Sequence, residues 1–259
     1  MKVAVCVKQV PDPWMEQSLR SDDYRLDRDA VPALMNEIDL CAVEEALRVV
    51  EAHGGAITVV TVGPDRAAEA LRMALSMGAH AALHLVGAEF VGSDALSTSY
   101  ALAEVLRRGN FDLVFFGSRS TDAGMGAIPS MVAERLGVAQ LTLAQRVDVV
   151  GSTITVQRET ESGSETLEAQ IPAVVSVVEG INEPRYPSFK GIVAAKGRHI
   201  ETMDAASAGL DVARLGHSAA ASKVIEFAKR PTRGVGVRVD DNGEGGIKIA
   251  DFLAHRGLI

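Results

Sequence analysis

The stretch 117–130, GSRSTDAGMGAIPS, holds the residues with the clearest chemical use. Gly124 and Gly126 leave backbone N–H groups accessible. The segment runs from a strand end into a helix, whose N-terminus favours a phosphate. In open α/β sheets, ligands bind at that edge of the strands. GMGAIP starts like a G-x-G-x-x-G fingerprint, but Pro129 stands where the third glycine belongs. The pattern therefore suits a single phosphate better than a full dinucleotide. A plain strand-to-helix turn would use the same glycines. A second set is Asn36 and Asp39 in MNEIDL, at a helix start. Their spacing favours capping, with binding of a ribose or base as the alternative.

No hydrolytic chemistry is legible beside these residues. HExxH, G-x-S-x-G and the Walker A lysine loop are absent. QVPDPW follows the first strand where a pyrophosphatase-type Ser-Gly-Gly loop would stand. The six histidines are scattered without ligand spacing. Arg158, Glu159, Glu161 and Glu165 lie on or beside a hairpin, where solvated charge is the default reading. The segment 181–200, INEPRYPSFKGIVAAKGRHI, is of another kind. It sets Tyr186 and Phe189 on a loop stiffened by Pro184 and Pro187, although aromatics are only 4% of the chain. Such a loop is built for a partner.

The elements that must position these residues alternate. KVAVCVK (2–8), AITVVTV (56–62), AALHLV (81–86) and DLVFFG (112–117) read as buried parallel strands. Between them lie helices at 39–53, stopped by Gly54-Gly55, after Pro64 up to Gly78, and from a cap at Ser93 to Gly109. A further helix is expected at 127–137. The pattern predicts a doubly wound, mostly parallel α/β sheet. Afterwards STITVQRE, ETLEAQI and AVVSVV read as strands joined by short turns, expected to be antiparallel. Beyond residue 200 periodicity is weak until a short amphipathic helix with Ile247, Phe252 and Leu253. The expected division is an α/β domain over 1–200 and a C-terminal arm over 201–259 lying on a partner, or a tail folded back on its own domain.

The totals agree with this outline. The 259 residues are 47% hydrophobic, enough for a core built from Ala, Val, Leu and Ile. A net charge of −8 argues against nucleic acid as the main partner. Cys6 and Cys41 offer no disulfide framework, so a reducing compartment, the cytoplasm, is expected. The N-terminus reads as a strand rather than a signal peptide, and no run approaches the ~18 apolar residues of a membrane span.

Three segments carry a family resemblance over essentially the whole chain. They are VQRETESGSETLEAQIPAVVSV, INEPRYPSFKGIVAAKGRHI, and VAVCVKQVPD together with LMNEIDLCAVEEAL. The sequence resembles the β subunit of electron transfer flavoprotein. The resemblance implies an adenine-nucleotide-hydrolase-like α/β fold and a heterodimer with an α subunit that holds most of a redox-active FAD. It implies an electron carrier rather than an enzyme, with a structural AMP in this subunit, or a second FAD there in a bifurcating type. Electrons would come from flavin dehydrogenases and leave to a quinone oxidoreductase or another acceptor.

Carried over by position, the nucleotide site comprises Cys6, Asn36, Asp39, Val62, Asp122, Gly124, Met125, Gly126, Ala127, Ile128 and Ser130. Many family members place a Thr and a Gln in the loop for the phosphate. Here Ile128 and Ser130 stand instead, so backbone N–H groups of residues 124–127 would carry it. The segment 184–195 becomes a dehydrogenase recognition loop with Tyr186, Pro187, Phe189 and Lys190, Phe189 taking the place of an anchoring leucine. The resemblance also puts Trp14 or Pro13 near the flavin ring. The rival readings are a stand-alone ATP-binding hydrolase or stress-type protein, and an interaction module with an empty pocket.

Overall fold

The computed structural model describes residues 1–229, 231, 234, 236 and 238–259. In chain order it begins with β1 (Lys2–Cys6), β2 (Gln9–Pro11), β3 (Ala33–Met35), α1 (Glu37–His53), β4 (Ala56–Val62) and α2 (Ala68–Met77). Next come β5 (Ala81–Leu85), α3 (Ala95–Gly109), β6 (Leu113–Gly117), α4 (Ile128–Leu136), β7 (Ala139–Ala144) and β8 (Arg146–Val150). The chain continues with β9 (Thr153–Thr160), β10 (Gly163–Gln170), β11 (Ala173–Val177), α5 (Phe189–Gly197), β12 (Glu201–Met203), α6 (Gly216–Ala219) and α7 (Gly245–His255).

Seven strands form the central sheet in the order β12-β5-β4-β1-β6-β11-β7, and every neighbouring pair is parallel. The sheet is covered on both faces, which is why its strands read as continuous apolar runs. On one face Val3, Val5, Ile57, Phe115 and Val175 pack with α1 and α2; on the other Ala4, Val60, Val114, Phe116 and Val174 pack with α3 and α4. A separate antiparallel sheet, β10-β9-β8, stands beside it, and β2 pairs with β3. The expected α/β fold with an antiparallel hairpin is therefore the observed one.

Four local expectations differ from the structure. AVVSVV was expected to be antiparallel, but β11 lies parallel between β6 and β7. All five of its residues are buried, and only an interior strand covered on both faces offers that burial. The strand β7 went unread because the αL cap Gly137 leaves only Val138 between it and α4. Asp94, not Ser93, caps α3 by accepting the Ser97 N–H; Ser93 Oγ accepts from the Gly216 N–H instead. The segment expected as a loop to residue 195 turns helical at Phe189, with the Ser188 side chain capping it through the Gly191 N–H.

The compact α/β unit spans Met1–Val224, and Ile225–Ile259 forms a second, smaller one. The first unit runs past the expected boundary at 200 because β12 adds a strand to the sheet, and Ala205, Ala208, Leu210 and Leu215 enter the core beyond it. In the second unit α7 leaves Ile247, Ile249 and Phe252 exposed. Among the described residues, no helix is long and apolar enough to cross a membrane.

Candidate nucleotide cleft and exposed aromatic patch

The loop 117–130 leaves β6 at the C-terminal edge of the sheet and enters α4, and the start of α1 holds it there. Asn36 occupies the N-cap position of α1 but makes no side-chain cap. Its Nδ2 donates to the Arg119 carbonyl at 3.0 Å, and its Oδ1 accepts from the Thr121 N–H at 3.1 Å. Asp39 accepts the N–H of Lys8 at 2.8 Å and of Gly117 at 3.2 Å. Neither side chain caps the helix, contrary to the reading that spacing favoured. Together they staple the exits of β1 and β6 to one helix end. Gly117 is required by contact: a Cβ there would stand 2.3 Å from Asp39 Oδ1. Burial pushes the Asp39 carboxyl up to about 7, against the hydrogen bonds that lower it.

Asp122 pins the loop from the other side. Its carboxylate, fully buried, meets Lys8 Nζ at 2.9 Å and Arg28 Nη2 at 2.5 Å. Burial would raise its pKa, but the two cations hold it well below the usual carboxylate range. The charged segment SDDYRLDRDAV at 21–31 thus supplies, through Arg28, one of the cations that order this loop.

Gly124 and Gly126 adopt positive φ values of 64° and 67°, which glycine tolerates without strain. The Gly124 N–H is already spent on the Ser120 carbonyl at 2.8 Å. That leaves the N–H groups of Met125, Gly126, Ala127 and Ile128, which have no partner among the described hydrogen bonds at this helix start. Of these four residues Gly126 borders a cleft of about 340 Å³ lined by Ile38, Ser118, Arg119, Gly124, Gly126, Leu143, Val178 and Glu179. This lies at the small end of the ~300–1,000 Å³ of small-molecule sites.

Of the residues expected at a nucleotide, Gly124 and Gly126 line the cleft itself. Asn36, Asp39 and Asp122 do not line it but hold the loop in place, and Met125, Ala127, Ile128 and Ser130 continue the loop into α4. Cys6 does not face it: its thiol is buried in the core with Val60 and Phe116, and burial raises its pKa. Val62 packs against the same cluster. Sequence reasoning missed Ile38, Ser118, Arg119, Leu143, Val178 and Glu179. Val178 and Glu179 follow β11, and its placement inside the parallel sheet would have pointed to them. Leu143 carries φ 62°, a strained value for a branched residue; its N–H donates to Ser176 Oγ at 3.0 Å.

A second surface lies at the start of α5. Tyr186 is 97% and Phe189 84% exposed, with Ile192 and Val193 also open. Phe189, Ile192 and Val193 follow the i, i+3, i+4 spacing of one helix face. The opposite side of α5 buries Ala195 against α2, and Gly191 is needed there because a Cβ would stand 2.4 Å from the Ser76 carbonyl. Pro187 is half-buried and Lys190 exposed. An outward apolar stripe beside proline departs from the usual burial of such residues. Trp14 is likewise 86% exposed.

A family model described as "Electron transfer flavoprotein domain" matches residues 24–208. The chain is 44% identical to the electron transfer flavoprotein subunit beta of Mycobacterium leprae, over 99% of both chains. It is 36% identical to the protein of that name in Megasphaera elsdenii, over 94% of each. Protein FixA of Sinorhizobium fredii shares 34% identity over 93% of this chain and 87% of that protein.

Proposed function

The chain belongs to the electron transfer flavoprotein family, and from that footing we propose that it is the β subunit of a heterodimer carrying electrons on a FAD held mainly by an α partner. The observation that carries this reading is the end-to-end match with named β subunits. The stand-alone hydrolase finds no support in it.

In this reading the cleft holds AMP. The donor set fits: four N–H groups at the start of α4 (Met125 to Ile128) would serve the phosphate, and Arg119 lines the same cleft. Glu179 would repel an anion and could accept from ribose hydroxyls, which would leave the phosphate to the N–H groups around Gly126. FAD, when bound, supplies the redox chemistry, while the protein sets position and electrostatics. This chain is thus an electron carrier without catalytic side chains of its own, working in the cytoplasm. Tyr186, Pro187, Phe189 and Lys190 form the docking patch for flavin dehydrogenases. Phe189 acts as an apolar anchor entering a partner pocket. A quinone oxidoreductase or another acceptor takes the electrons onward.

The reading is tested by purifying the chain with its α partner, denaturing the complex and identifying released nucleotides by mass spectrometry. One AMP and one FAD per heterodimer are expected. Two FAD and no AMP would make it a bifurcating-type subunit. FAD alone would remove the cleft from the nucleotide assignment.

A further inference from the structure

Beside the packing of α5 on α2, the exposed aromatic patch is held by charge at its root. Arg185, next to Tyr186, donates from Nε to Glu44 at 2.7 Å and from Nη2 at 3.2 Å. The same guanidinium reaches Glu51 at 2.5 and 3.0 Å, and the Arg185 backbone N–H adds a bond to Glu44 at 3.2 Å. Glu44 and Glu51 stand two turns apart on one face of α1. A planar fork with five donors can pair with two such carboxylates along its edges at once; an ammonium, a point charge with three donors, can keep only part of that geometry. Upstream, Asn182 Nδ2 donates to the Cys41 carbonyl at 3.0 Å and to Glu45 at 2.9 Å. Downstream, Arg72 Nη1 donates to the carbonyls of Ala195 and Arg198 at 2.6 and 2.5 Å. Tyr186 and Phe189 are therefore slung between two arginine anchors.

We infer that Arg185 is a positioning residue for electron-donor docking. It clamps the start of the patch to α1 and so fixes the direction in which Tyr186 and Phe189 project. The inference rests on the docking role proposed above for that patch. An anchor binds only during the fraction of time it is presented correctly, and apparent affinity falls by that fraction. Losing the clamp thus acts on the KM for the donor rather than on kcat. The fold tolerates the loss because Arg48 Nε stays 3.0 Å from Glu44, which keeps one cation.

The test compares the intact heterodimer with Arg185→Met, Arg185→Lys, Glu51→Gln and Phe189→Ala, using a flavin dehydrogenase of the same organism as donor. Two readouts are taken: amide hydrogen exchange over residues 186–197, and KM against kcat. Arg185→Met should speed exchange in that segment and raise the donor KM on the order of tenfold, with kcat and FAD content kept. Arg185→Lys and Glu51→Gln, each retaining part of the clamp, should fall between. If Arg185→Met leaves the KM unchanged while Phe189→Ala raises it, the inference is overturned. If Phe189→Ala also leaves it unchanged, the docking role of the patch fails instead. The clamp is then judged by exchange alone: faster exchange supports it, and unaltered exchange overturns it.

Discussion

At the scale of single residues, the site is shaped by polar side chains that serve the backbone rather than a ligand. Asn36 and Asp39 give up capping α1 to hold two strand exits, so the loop is ordered before anything binds. The cost is a buried carboxyl. The folded-state pKa of Asp39, about 7, lies above its ordinary 3.8, so the native state holds the proton more tightly than the unfolded chain. The stability contributed by that proton is full below the unfolded value and is lost as pH rises through the folded one. The unfolding free energy of the wild type relative to Asp39→Asn should therefore fall between about pH 4 and 7, by roughly 1.4 kcal/mol per unit, then level off. Urea titrations across that range check it, and a pH-independent difference would contradict it.

At the scale of elements, the antiparallel sheet is an insertion between two strands of the parallel one. The chain leaves β7, makes β8 to β10, and returns as β11 between β6 and β7. This route brings Leu143, Val178 and Glu179 to the same cleft as residues of the loop 117–130, so the cleft is complete only once the return strand is in place. Leu141 on β7 is 2% exposed although β7 is an edge strand. Leu141→Ala should then cost about 2–5 kcal/mol, as a core leucine does. Chemical denaturation measures it; a loss below about 1 kcal/mol is what a surface residue would show and would remove β7 from the core.

At the scale of the whole molecule, two units differ in how they are held. Residues 1–224 bury a core on both faces of the sheet, whereas α7 of the second unit buries no residue. We propose that this second unit, the part of the expected 201–259 arm that stays outside the core, lies on the α partner. A chain ending at Val224 should keep the melting temperature of the full chain but associate more weakly with the α subunit, seen by sedimentation or size exclusion. A large fall in melting temperature would mean that the segment completes its own fold. Phe189→Ala belongs at this scale too. It should weaken reduction by the dehydrogenase by at most a few kcal/mol of docking energy and leave heterodimer affinity unchanged, and stopped-flow kinetics separate the two.

The alternation of apolar strands and amphipathic helices was legible from composition and spacing, because burial on both faces or on one stripe writes itself into the order of residues. The bounds of β4 could be read to the residue, and the exposed Tyr186–Phe189 segment stood out because proline and aromatics contradict a buried reading. What the order of residues could not decide was which partners those elements meet. AVVSVV looks the same in a hairpin or in a parallel interior, and Asn36 and Asp39 look like caps until the loop they hold is nearby. Strand pairing, the cleft wall and the Arg185 clamp join residues far apart along the chain. Such long-range choices are settled only when the whole core closes and each buried polar group must find its partner.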